Sequence, residues 1–253
     1  MLASFDKELK YLLFVGSGRT GSTLFGQLLN NHPEILVSNE SRILQHCVTN
    51  KICISKNLSN LFHISLNEFQ NGTLKYDQKI DAENTNKWQR DWKKIDNSLK
   101  IKKTEIKYIG DKKQGGNTEL LLKDSDNIKY IDIDFIPITV IRNPIDVFSS
   151  YLRVNSNSKI SANTTIKNMI HGIDFTLKNK GVVINYDELI KNTEDYCNIV
   201  CNKLNITENK AWVNLVKKTI SQKKPFEYDQ KSINFFKNTN GYEKLMRLYN
   251  ENK

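Results

Sequence analysis

An apolar run from Tyr11 to Val15 leads directly into Gly16-Ser-Gly-Arg-Thr-Gly-Ser-Thr23, and no other feature of the chain restricts its fold as much. A short, nearly all-apolar run that ends at glycine reads as a central parallel strand covered on both faces. Leu24, Leu28 and Leu29 then recur at helical spacing until Asn31 and Pro33 stop the pattern, and the apolar stretch Glu34 to Ser38 reads as a second strand. The result is a β-α-β unit with a glycine turn at its head. Glycines allow the tight turn, while successive N–H groups and a helix N-terminus offer partial positive charge to an anion. The plainer reading is a turn that serves only close packing.

Three templates fit the turn. Read as G-x-G-x-x-G, with Gly16, Gly18 and Gly21, it matches a dinucleotide fingerprint, and Glu40 lies ~20 residues on, where an acid for the ribose belongs. Read as a nucleoside triphosphate loop, Gly16, Gly21 and Thr23 match, but Ser22 stands where the phosphate-reaching lysine is needed. The third reading keeps the cradle, drops that lysine and takes Arg19 as the cation, which suits an anion less charged than a triphosphate.

Strand and helix patterns alternate along the rest of the chain. Ile106 to Lys112, the stretch from Phe135 into Arg142, and Val182 to Tyr186 read as strands. Helices are expected over Gly116–Asp124, Asp146–Arg153, Thr164–Gly181 with Gly181 as C-cap, and Asp187–Leu204 as one helix or two. Such alternation predicts an α/β protein with a parallel sheet, whose ligands bind at the carboxyl ends of strands. Residues 52–103 read as a polar, partly helical insertion, with Trp88 and Trp92 four apart on an amphipathic helix. The expectation is a single domain over 1–253.

Composition removes several function classes. Lys and Arg outnumber Asp and Glu by 38 to 28, a net charge of +10 that favours anionic ligands, yet the charge is spread along the chain and no nucleic-acid recognition module is seen. Nucleic acid is therefore not an expected partner. No segment approaches the ~18 apolar residues of a membrane span. The first ten residues have no apolar core or cleavage site, so a cytoplasmic protein is expected. Cys47, Cys53, Cys197 and Cys201 lack zinc-like spacing with the histidines and read as packed, reduced thiols. Oligomeric state is not legible.

The second half of the chain separates the templates. Arg142 ends a strand, Asn143-Pro144 turns the chain, and Ser150 lies about two turns into the following helix. An arginine fork and a hydroxyl can then meet on one phosphate. Neither the dinucleotide nor the triphosphate template predicts this second anion site. In the plainer alternative Arg142 pairs with Asp146 and Ser150 faces solvent.

The segment FVGSGRTGSTLFGQLLNNHPEI resembles the 5′-phosphosulfate loop of the sulfotransferases, and VIRNPIDVFSSYLR resembles their 3′-phosphate motif. Between them, NESRI is similar to the Glu-x-Arg of the protein-tyrosine members and GDKKQ to the Gly-Asp-Lys of bacterial and tyrosylprotein members, with Lys113 and Gln114 departing from the bacterial Thr-Pro. VVINYDELIKN is similar to their late Tyr-Glu-Asp-Leu stretch. The resemblance implies a P-loop-like three-layer domain, with a central parallel sheet flanked by helices. It also implies transfer of a sulfuryl group from 3′-phosphoadenosine 5′-phosphosulfate to an acceptor hydroxyl of a tyrosine, carbohydrate or small alcohol, without a metal, leaving adenosine 3′,5′-bisphosphate. On that basis Ser17, Gly18, Arg19, Thr20, Gly21, Ser22 and Thr23 hold the 5′ end, and Arg142 with Ser150 grips the 3′-phosphate. Lys112 serves the bridging oxygen, Glu40 is the base and Arg42 orients the acceptor. His32 and His46 are alternative bases, His32 being better suited to a structural role. The rivals are an NAD(P)-dependent oxidoreductase using Gly16 to Gly21, and a nucleotide-binding protein without catalysis.

Overall fold

The protein is described by a computed structural model covering residues 5–71, 101–154, 156–220 and 229–252. Trp88 and Trp92 lie outside these residues. Five parallel strands, β1 (Phe5–Phe14), β2 (Ile35–Asn39), β3 (Ile106–Lys112), β4 (Phe135–Ile141) and β5 (Val182–Asn185), form one sheet in the order β2-β3-β1-β4-β5. The helices are α1 (Ser22–Asn30), α2 (Ile43–Asn50), α3 (Leu58–Asn71), α4 (Gln114–Lys123), α5 (Pro144–Leu152), α6 (Ser158–Lys178), α7 (Tyr186–Lys191), α8 (Thr193–Leu204), α9 (Lys210–Ile220), α10 (Gln230–Lys237) and α11 (Tyr242–Glu251). This is the expected α/β, P-loop-like architecture.

The apolar run at β1 follows from its place in the middle. Leu12 and Phe14 face one side of the sheet, against Phe25, Leu28 and Leu29 of α1 and Trp212 of α9. Tyr11, Leu13 and Val15 face the other, against Ile43, Leu44, Ile54, Leu61 and Phe62. All five side chains from Tyr11 to Val15 are fully buried, and each buried Leu, Val or Phe contributes about 1.5–3 kcal/mol. The buried stripe of α1 runs through Phe25, Leu28 and Leu29, with Leu24 only partly covered.

Several expectations need correction. β1 and β2 are not neighbours, because β3 lies between them and pairs with both. The stretch from Ile52, read as a polar, partly helical insertion, supplies a helical turn over Ile54–Asn57 and then α3, whose Leu61 and Phe62 belong to the core. Lys103, at the expected end of the insertion, plugs the rear of α1, where its Nζ donates to the carbonyls of Asn30 (2.5 Å), His32 (2.8 Å) and Ile35 (2.5 Å). Burial pushes its pKa down, but three carbonyl acceptors call for three N–H donors and so favour the ammonium. At the end of α6 the left-handed residue is Lys180, not Gly181, whose N–H closes the helix on Thr176 O.

A third apolar cluster joins α5 and α6 to the C-terminal helices, where Phe148 stacks on Phe236 with ring centres 4.4 Å apart. Thus α10 and α11 brace the helix that carries Ser150.

Candidate functional site

The site forms where β1, β3 and β4 end side by side. Residues Val15 to Gly21 leave β1 as a loop, and α1 starts at Ser22 with Gly21 as its N-cap. Gly21 has φ 93°, and a Cβ there would stand 2.8 Å from the Tyr186 ring, so both its conformation and its neighbour require glycine. Among the described residues no side chain caps the first turn of α1, and no acid lies in it. An uncapped helix N-terminus is an anion site by geometry and dipole.

β3 explains the Gly-Asp-Lys segment residue by residue. Gly110 lies so close to β1 that a Cβ would meet Leu12 O at 2.7 Å. Asp111, fully buried, turns back beneath the chain leaving β2; its carboxylate accepts from Ser41 N–H (2.9 Å) and Ile43 N–H (3.1 Å). Lys112, 3% exposed, points up into the site, and its Nζ lies 2.7 Å from Thr23 Oγ1 and 2.8 Å from Glu40 Oε1. Lys113 takes the other oxygen, with Nζ 2.6 Å from Glu40 Oε2. Both lysines therefore face Glu40.

That clamp fixes the charge state of Glu40. Burial pushes its carboxyl pKa up, but the two ammonium groups outweigh burial and hold it down at about 2. Burial pushes Lys112 down, opposed by Glu40. Asp111 is raised by burial against the N–H groups it accepts from.

Arg19, Glu40 and Arg42 all have left-handed backbones, with φ 66°, 59° and 58°, a conformation that costs a non-glycine residue about 1–2 kcal/mol. Strain concentrated on such residues is typical of functional sites. Arg42 is exposed at the N-cap of α2.

The 3′ motif departs in detail from the expectation. Arg142 turns to Asp146, with Nε–Oδ2 and Nη2–Oδ2 both 3.2 Å, and lies over the Tyr186 ring at 5.6 Å. Ser150 is buried, not solvent-facing, and its Oγ accepts from Arg19 Nε at 3.1 Å. The direct contact at Ser150 therefore comes from the phosphate loop, across 131 positions of sequence. Tyr186, against both Gly21 and Arg142, links the two motifs from the other side. Within the loop Thr20 is fully buried and donates its hydroxyl to Ser17 O (3.3 Å). Ser17 Oγ lies 3.4 Å from Tyr151 Oη.

Sequence reasoning missed a supporting layer. Gln114, Asn117 and Thr118 form a buried polar face on α4 under the loop. Thr118 Oγ1 lies 2.5 Å from Gly16 N and 3.0 Å from Gly16 O, and Asn117 donates to Phe14 O (3.0 Å). At the far side Asp187 Oδ2 accepts from Asn143 N–H (2.6 Å) and Tyr249 O–H (2.8 Å), pinning the turn before α5. The only signal for either was the Gln114 departure and the Tyr186-Asp187 resemblance.

The two alternative bases, His32 and His46, have local partners. His32 is buried, accepts from Glu34 N–H, lies 3.1 Å from Thr207 O and packs edge-on to Trp212; burial holds it down at about 4. His46 is exposed beside Asn50. Cys47, Cys197 and Cys201 are buried thiols and Cys53 is half-buried. Among the described residues no helix is long and apolar enough to cross a membrane, and no group of His, Cys, Asp and Glu could hold a metal ion.

Fold and site together define a P-loop-like α/β protein whose anion cradle lacks the triphosphate lysine. The model of the sulfotransferase family matches residues 12–210, and the chain belongs to that family. Membership overturns the oxidoreductase reading, and topology agrees: in the dinucleotide fold β2 adjoins β1, whereas here β3 separates them. Similar solved structures include the sulfotransferase domain of the Synechococcus PCC 7002 olefin synthase, at 11% identity over 98% of this chain and 95% of that one, TM-score 0.49. The sulfotransferase domain from the curacin biosynthetic pathway has 13% identity over 91% and 96%, TM-score 0.47. A Mycobacterium avium sulfotransferase has 11% identity over 96% of this chain and 75% of that one, TM-score 0.46. No curated protein sequence gives a significant match.

Proposed function

We propose that the protein transfers a sulfuryl group from 3′-phosphoadenosine 5′-phosphosulfate to an acceptor hydroxyl. One observation carries the reading: the Lys112 ammonium touches both Thr23, in the first turn of α1, and Glu40. A cation, an anion-binding helix end and a carboxylate thus lie within one hydrogen bond of each other, as in-line transfer between two oxygens requires. The donor set fits a nucleotide carrying more than one anionic group, since the first turn of α1 and Arg19, which bonds Ser150, lie across the Tyr186 ring from Arg142. Bound there, the donor supplies the sulfuryl group and leaves as adenosine 3′,5′-bisphosphate.

The N–H groups of Gly21 to Thr23 and the Arg19 guanidinium hold the 5′ end, and Arg142 with Ser150 holds the 3′-phosphate. Lys112 stabilises the charge that grows on the bridging oxygen. With its carboxyl held at about 2, Glu40 is a weak base while clamped; as Lys112 turns toward the departing oxygen, Glu40 loses half its clamp and gains the basicity to take the acceptor proton. Arg42, exposed two residues on, orients the acceptor.

Transfer of labelled sulfate to a panel of phenols, alcohols and sugars tests the reading. Glu40→Gln is expected to lower kcat by about 10²-fold or more with bisphosphate affinity retained. Equal activity removes Glu40 as base, and bisphosphate binding without transfer to any acceptor favours a protein that binds the nucleotide without catalysis.

A further inference from the structure

The ladder between β1 and β4 ends where Val15 N–H meets Ile138 O, as the chain leaves the sheet for the phosphate loop. Two residues further along β4, Val140 would expose its N–H and C=O to a missing strand. The Gln114 side chain fills that place: Nε2 donates to Val140 O at 3.0 Å, and Oε1 accepts from Val140 N–H at 3.4 Å. The same Nε2 donates to Ser17 O at 2.9 Å and lies 3.3 Å from Thr20 Oγ1. Gln114 is 2% exposed. One buried amide therefore ties the floor of the 5′ loop to the strand that, two residues later, delivers Arg142.

We propose that Gln114 is a positioning residue that sets the spacing between the two phosphate-binding ends of the donor site. The proposal rests on the nucleotide reading above and extends it to a residue that touches no ligand. Without this amide both ends remain, each on its own element, but they lose the buried strut beneath the loop, and the Arg19–Ser150 contact above it is left to hold their spacing. The effect belongs to the pairing of sites, as in bivalent binding, where geometry sets the gain over either site alone. Gln114→Met keeps length and volume, and leaves Ser17 O and the Val140 backbone groups unpaired.

The experiment is calorimetric titration of the full chain with adenosine 3′,5′-bisphosphate, adenosine 5′-phosphate and adenosine 3′-phosphate. Wild type is expected to bind the bisphosphate more tightly than either monophosphate. In Gln114→Met the bisphosphate affinity should fall about tenfold or more while each monophosphate stays within about threefold, the scale set by unpairing a buried hydrogen-bonding group. An equal fall for all three ligands, or no fall for the bisphosphate, overturns the proposal. If Gln114→Met does not fold, Gln114→Glu is decisive, because its protonated form can still donate one hydrogen bond and its ionised form cannot. Relative to wild type, its bisphosphate advantage should return as pH falls through the carboxyl pKa, and an advantage indifferent to pH overturns the proposal. A wild type that binds none of the three sinks the nucleotide reading itself, a result distinct from any Gln114 outcome.

Discussion

Arg19 and Glu40 both sit in left-handed backbone, at φ 66° and 59°, but what holds them there differs in kind. The loop around Arg19 is fixed by neutral, buried contacts: Thr118 on Gly16, Asn117 on Phe14, Gln114 on Ser17. The turn around Glu40 is fixed by charge, with Asp111 beneath it and Lys112 and Lys113 on its carboxylate. The first arrangement is insensitive to protonation near neutrality. The second responds to protonation as pH falls toward the acid range in which Glu40 titrates. On the proposed reading, the half of the site that holds a constant anion is supported by amides and hydroxyls, and the half that moves a proton by ionisable groups.

The largest test strikes the loop. Helix α6 packs so closely that a Cβ on Gly172 would lie 2.3 Å from Gly16 Cα, backbone against backbone. Gly172→Ala is expected to destabilise the protein by about 3 kcal/mol or more and to weaken bisphosphate binding, as followed by urea unfolding and titration. A variant of wild-type stability would mean that the loop gives way easily and the contrast is false.

Asp111→Ala strikes the turn instead. Two buried N–H groups lose their acceptor, for an expected loss of about 2 kcal/mol, with bisphosphate affinity unchanged within about threefold. A joint fall in donor affinity would merge the two halves into one unit.

The smallest effect is a pH dependence. Glu40 is held at about 2 in the folded chain, below the ~4.3 of a free glutamate. Its contribution to stability is therefore present above that free value and is lost as pH falls toward about 2. Between pH 5 and pH 3 the wild type should lose more stability than Glu40→Gln, measured by denaturant unfolding at each pH. Parallel losses would show that the lysine clamp adds nothing to the fold.

The strands were legible because each carries a short apolar run set off by polar or glycine residues, and the stretch from Tyr11 to Val15 is apolar at every position because both its faces are covered. The order of those strands was not: β3 slides between β1 and β2 through long-range pairing that no local pattern encodes. In the site, Glu40, Lys112 and the loop were readable from motif spacing. Gln114, Asn117 and Thr118 were not, since buried polar residues on a helix look like a solvated face until a backbone needing partners is found beneath them. The Arg142–Asp146 pair was legible as an i,i+4 spacing, whereas the contact between Ser150 and Arg19 spans 131 positions and no local pattern signals it. The C-terminal helices carried no motif at all, yet Tyr249 reaches Asp187 through them.

Lys103 gives α1 an asymmetry with a consequence for how the cradle behaves in salt. The negative pole of the helix is already matched by a cation sealed among three carbonyls, so a ligand at the opposite end, about 13 Å away, feels the positive pole with little opposing contribution from the rear. Mobile ions shield the +10 surface more than they shield an ammonium enclosed by three carbonyls. Diffusional capture of the nucleotide should thus fade with ionic strength well before the grip at the loop does.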